Sequence, residues 1–104
     1  MADEIVQTMV ERIAREFHPL RILLFGSRAR GEAKASSDVD LLVVLPEVTN
    51  KRQAAVEVLR ALGDLSVAAD IVVSSPEELA RRGQVNGDVL RAALREGKVV
   101  YERS

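Results

Sequence analysis

The chain has 104 residues, 15 Lys and Arg against 16 Asp and Glu, a formal charge of -1, 47% hydrophobic and 3% aromatic residues, and no cysteine. That length supplies material for one core, so a single domain over residues 1–104 is expected. The balanced charge argues against a dedicated nucleic-acid binder, the scarcity of aromatic rings against base-stacking platforms, and the lack of cysteine against disulfide scaffolds and thiolate metal sites. The longest unbroken apolar run, Leu41 to Leu45, is far short of the roughly 20 residues that span a bilayer. Asp3 and Glu4 stand where a secretory leader would carry basic residues, so a cytoplasmic protein without membrane contact is expected.

Ile5, Val6, Met9, Val10, Ile13 and Phe17 recur at helical spacing, which predicts an amphipathic helix capped by Asp3 and stopped by Pro19. Leu20 to Phe25 reads as a strand ended by Gly26 and Ser27. A polar segment, Arg28 to Ser37, leads into Val39 to Leu45, apolar on both alternating faces and therefore a strand covered on both sides. Lys51 to Leu62 places Ala54, Ala55, Val58, Leu59 and Leu62 on one helical face, with Gly63 at the C-cap. Val67 to Val73 returns to strand character. Ser75, Pro76 and Glu78 spell a helix start, with Ser75 as N-cap and Glu78 completing a capping box. A further helix from Asp88 to Glu96 and a short strand from Lys98 to Glu102 close the chain. Alternating helices and strands predict an α+β fold, a small mixed sheet flanked by helices.

The chemistry concentrates between the first two strands. Asp38 and Asp40 are two residues apart at a strand start, so their side chains project to one face, with Cα atoms about 6.5 Å apart. Two carboxylates so placed can share a hard cation, and Mg²⁺ prefers one or two carboxylates with waters and substrate phosphates. Asp70 stands in a strand otherwise apolar, where a carboxylate needs a partner that such a cation would supply. Gly26 lets a ligand approach the backbone, Ser27 adds a hydroxyl donor, and Arg28, Arg30 and Lys34 can neutralise a triphosphate. Each element alone has an ordinary explanation in turns and solvated loops; their joint occurrence points to phosphoryl chemistry of nucleotide type. His18, before Pro19, reads as a capping or surface residue, Ser75 and Glu78 as a helix start only, and Lys51, Arg52, Arg81 and Arg82 as solvated helix faces.

Gly26-Ser27, ten intervening residues and Asp38-Val39-Asp40, followed by Asp70, resemble the signature of the DNA polymerase β-like nucleotidyltransferase superfamily, specifically its minimal nucleotidyltransferase (MNT) branch. The likeness extends to the closing Glu96-Gly97-Lys98-Val99-Val100-Tyr101. The resemblance implies a polymerase β palm-like fold in which Asp38, Asp40 and Asp70 bind two Mg²⁺ ions and Gly26 and Ser27 bind the nucleoside triphosphate, beside which the residue reading places Arg28 and Arg30. It implies transfer of AMP from ATP to an acceptor hydroxyl, Asp70 acting as general base or orienting group. By the same analogy the acceptor is a HEPN-domain toxin and the chain its antitoxin. Two other readings stay open, a nucleotide-binding antitoxin acting by steric contact, and nucleotidyl transfer to a small molecule, the latter weakened because no part of the chain is left over as an acceptor domain.

Overall fold

The computed structural model describes residues 4–26, 38–65, 68–82, 95 and 97–103. The elements run α1 (Glu4–Phe17), β1 (Arg21–Phe25), β2 (Val39–Val44), α2 (Lys51–Ala61), β3 (Ala69–Ser74), α3 (Pro76–Arg82) and β4 (Lys98–Glu102). The expected Asp3 cap and the helix between Asp88 and Glu96 lie outside the described residues, apart from a helical Arg95.

The four strands form one mixed sheet in the order β3-β2-β1-β4. β1 pairs antiparallel with β2 and with β4, while β2 pairs parallel with β3. The parallel pair requires a crossover, which α2 provides. β2 is therefore central, and its burial on both faces matches its unbroken apolar run.

One face carries Ile22, Val39, Leu41, Val43 and Val73, packed under Val6, Met9, Val10 and Ile13 of α1 and Val58 and Leu62 at the end of α2. The other carries Leu23, Leu42 and Val44, joined by Phe25, Val72 and Leu79 of α3. The i, i+3, i+4, i+7 spacing of the buried α1 residues is the apolar stripe its sequence predicts. Truncating Ile13, fully buried, to alanine removes a side chain worth about 2–5 kcal/mol at such a site.

The helix ends depart from expectation in instructive ways. α1 stops at Phe17, where His18 takes a left-handed φ of 50° ahead of Pro19, and the exposed His18 carbonyl accepts the Arg103 guanidinium. Asn50 caps α2, its Oδ1 accepting the Gln53 N–H at 3.0 Å. Gly63 is not a left-handed cap. Leu62 is the cap residue, and the last turn tightens through Leu62 N–H to Leu59 O and Gly63 N–H to Arg60 O, both 3.1 Å. Leu59 also leaves the expected buried face, at 41% exposure. The contact stripe of α2 centres on Ala55, Val58 and Leu62, and Leu59 lies a further 100° around the helix from Val58.

Arg12 of α1 donates to the Ala61 carbonyl at 3.1 Å and pairs with Asp64, tying α1 to the end of α2. The hydrogen bond from Arg12 holds the Asp64 carboxyl below its usual range.

Ser75 accepts the Glu78 N–H at 3.3 Å, the expected cap. Glu78 is more than a helix start. Its buried carboxylate accepts the Ser74 hydroxyl at 2.6 Å and the Lys51 ammonium at 2.8 Å, so Lys51 is not a simply solvated residue either. This network joins the first residue of α2 to the end of β3 and to α3. The one-turn spacing from Ser74 to Glu78 delivers the carboxylate back over the strand end.

Candidate active site

Strand polarity decides which residues meet. β1 ends at Phe25, β2 begins at Val39 beside it, and β3, parallel to β2, begins at Ala69. Gly26, Asp38, Asp40 and Asp70 are thereby brought to one end of the sheet. Asp40 is the cross-strand partner of Phe25 on one side and of Asp70 on the other. Adjacent strands lie about 4.8 Å apart, so the Asp40 and Asp70 side chains stand next to each other on one face. That is the face of Leu42, Val44 and Val72, which follow in the two-residue period. Asp38 immediately precedes β2, two positions before Asp40, and the same period sets it on this side.

The three carboxylates differ in setting. Asp38 and Asp70 are exposed and Asp40 is half-buried between its two neighbouring strands. The expectation that Asp70 occupies a buried strand, and needs a partner for that reason, is corrected here. β3 is an edge strand, half-buried over most of its length and beginning at Ala69, so water reaches Asp70. What brings Asp70 to Asp40 is the parallel register.

Gly26 has a φ of 74°, the left-handed region that side chains disfavour. It also lies against Asp40. A Cβ at Gly26 would overlap the Asp40 Oδ2 and stand 3.1 Å from its Cγ and 3.4 Å from its Cβ. The glycine thus touches the very aspartate that the sequence reading assigned to metal, a contact that no spacing along the chain reveals. Ser27, Arg28, Arg30 and Lys34 lie outside the described residues.

Among the described residues, no three acidic side chains are gathered tightly enough to hold an ion between them as they stand. The donors are nonetheless all carboxylate oxygens on one face at one sheet end, and Gly26 lies against one of them. This set fits a hard divalent cation completed by water or phosphate oxygens rather than an all-protein cage. A groove of about 530 Å³ opens at the opposite end of the sheet, bordered by Arg21, Val44, Leu79 and Glu102, and takes no part in this site. Arg21 and Glu102 pair across that end at 3.2 Å.

The nucleotidyltransferase domain model matches residues 6–100. The chain belongs to the nucleotidyltransferase domain family. No curated protein matches it. Its fold is similar to that of a Sulfolobus solfataricus protein described as a nucleotidyltransferase, with a TM-score of 0.66 and 25% identity over 96% of this chain and 79% of the other. It is also similar to a toxin-antitoxin structure with AMP-PNP, with a TM-score of 0.65 and 20% identity over 94% of this chain and 74% of that one. A mutant of the MntA-HpeT toxin-antitoxin gives 0.67 and 19% over 100% and 76%. The family membership agrees with the mixed α+β architecture and with the expectation of a nucleotidyltransferase domain. Among the described residues, no helix is long and apolar enough to cross a membrane.

Proposed function

We propose that residues 1–104 form one Mg²⁺-dependent nucleotidyltransferase domain that transfers AMP from ATP to a hydroxyl of a HEPN-domain toxin in the cytoplasm, and so serves as its antitoxin. The observation that carries this reading is the register of Asp40 with Asp70 on adjacent parallel strands, at the sheet end where Gly26 closes β1. The toxin-antitoxin neighbours, one of them with AMP-PNP, support an adenine nucleotide and a toxin as partner.

In this reading Asp38, Asp40 and Asp70 would hold one Mg²⁺ ion, which would lower the pKa of the acceptor hydroxyl, and Asp38 and Asp40 a second, which would neutralise charge on the triphosphate. Gly26 and Ser27 receive the phosphates at the end of β1, and Arg28 and Arg30 offset their charge. The acceptor oxygen bonds to the α-phosphorus, the α–β phosphoanhydride bond breaks, and pyrophosphate leaves with the bonding electrons. Asp70, the most accessible of the strand aspartates, takes the hydroxyl proton or orients the oxygen that loses it.

The test is the intact mass of a HEPN-domain partner after incubation with the protein, ATP and Mg²⁺. The parent adds one or more AMP units. Asp70→Asn retains Mg·ATP binding and adds none, the pattern of an interaction made in the transition state. Equal labelling by Asp70→Asn would remove Asp70 from the mechanism. Protection of cells by Asp70→Asn at matched expression would make the antitoxin action steric.

A further inference from the structure

We infer that Gly26 is a positioning residue for metal, because its missing side chain is the seat that holds the Asp40 carboxylate. The inference rests on the functional reading above and adds to it, since that reading gives Gly26 only to the phosphates.

Two separate penalties meet any side chain at position 26. One is local: a φ of 74° is unfavourable for an L-residue whatever surrounds it. The other is specific to Asp40, whose Oδ2 stands where the new Cβ would be, inside the 3.0 Å that real Cβ atoms keep. Something must then move, and the backbones are poorly placed to do so. Phe25, next to Gly26, is paired with Asp40 in the antiparallel ladder, and Asp40 is paired with Asp70 in the parallel one. The soft coordinates are in the Asp40 side chain: χ2, a broad terminal torsion that turns the carboxylate, and then χ1, whose other staggered wells lie about 120° away. A Cβ at position 26 therefore swings the carboxylate off its seat and changes where its oxygens sit relative to Asp38 and Asp70. Metal affinity falls before any phosphate is involved.

A residue that orients a metal ligand typically changes affinity by about 10- to 100-fold when altered. Mn²⁺ alone, without nucleotide, is the probe: free Mn²⁺ is read by electron paramagnetic resonance for the parent, Gly26→Ala, Asp40→Ala and the double variant. Gly26→Ala is expected to weaken Mn²⁺ at least about tenfold, and to have no further effect once Asp40 is alanine. Melting temperatures without metal provide the second readout. Gly26→Ala should lower the melting temperature more in the parent than in the Asp40→Ala background, where the overlapping carboxylate is gone and only the backbone penalty remains. Unchanged Mn²⁺ affinity in Gly26→Ala would overturn the inference, as would equal destabilisation, or equal loss of folding, in both backgrounds. A parent that itself binds no Mn²⁺ would overturn the functional reading and the metal role of Gly26 together, an outcome distinct from a parent that binds while Gly26→Ala binds equally well.

Discussion

Neutralising Asp40 should stabilise the metal-free protein. Asp40 and Asp70 are register partners on adjacent strands, and with carboxylates about 5 Å apart in water-like dielectric their repulsion is about 0.8 kcal/mol. The high dielectric is the appropriate limit because Asp70 is exposed. Asp40→Asn keeps the shape and one carbonyl oxygen while removing that term, and Asp38 adds a smaller contribution of the same sign. For a domain of this length about 1 kcal/mol moves the melting temperature by about 4–8 °C, so a rise of about 3–6 °C is expected at low ionic strength. Salt should shrink it, since the Debye length falls to about 3 Å at 1 M. Mg²⁺, which should raise the melting temperature of the parent, should raise that of Asp40→Asn far less. The assay is thermal unfolding at low and high salt, with and without Mg²⁺, for Asp40→Asn, Asp70→Asn and the double variant. Because both single substitutions relieve the same repulsion, the double variant should gain less than the sum of the two single gains. A loss of stability in Asp40→Asn, or a gain that ignores salt and the state of Asp70, would refute the reasoning.

Glu78→Ala should lower stability by about 1–3 kcal/mol, chiefly because the fully buried Ser74 hydroxyl loses its acceptor, while Glu78→Gln, which keeps an acceptor, should cost less; urea unfolding measures both. Lys51→Met should also destabilise, because it leaves the Glu78 carboxylate, whose side chain is only 11% exposed, without this cation, whereas after Glu78→Ala the Lys51 side chain, 41% exposed, rehydrates. Asp64 has a folded-state pKa below its usual value, so the stability it contributes is present above the unfolded pKa and is lost as pH falls through the folded one. Asp64→Asn should accordingly lower stability at neutral pH, where the pairing with Arg12 operates, flatten the acid limb of a plot of stability against pH, and converge with the parent at low pH.

Much of this was written in local pattern. The 3.6-residue spacing of Val6, Met9 and Ile13, the double-sided apolar run of β2 and the Ser75-Pro76 helix start each name an element without reference to the rest of the chain. The D-x-D spacing likewise fixes a shared face for Asp38 and Asp40, because strand geometry has a period of two. What local pattern could not carry is register. That Asp70 faces Asp40 follows from the parallel alignment of β2 with β3, which depends on how α2 packs across the sheet. That Gly26 holds a carboxylate follows from the β1–β2 pairing. The errors have the same origin. Helical spacing alone puts Leu59 on the buried face and Gly63 at the cap, whereas their positions depend on what packs against α2. Glu78 fits a capping box in sequence, but Ser74 and Lys51 become its partners only when β3 and α2 end side by side.

The topology also separates the tasks of the two sheet ends. β3 carries Asp70 at its start and Ser74 at its end, four residues and about 13 Å apart along an extended strand. The far end is closed by groups that satisfy one another: buried Ser74 and Glu78 are joined by the partly exposed Lys51, and Arg21 pairs with Glu102 at the rim. The near end gathers three like charges, Asp38, Asp40 and Asp70, with a glycine kept bare against one of them. Repulsion among these carboxylates is a standing cost to the metal-free fold, and it is tolerable because the packed core and the far-end network are built from other residues. A cation at the near end would turn the same three charges from a destabilising cluster into ligands. The end that weakens the fold is therefore the end able to bind, and its distance from Glu78 allows stability to be altered there without moving a single candidate ligand.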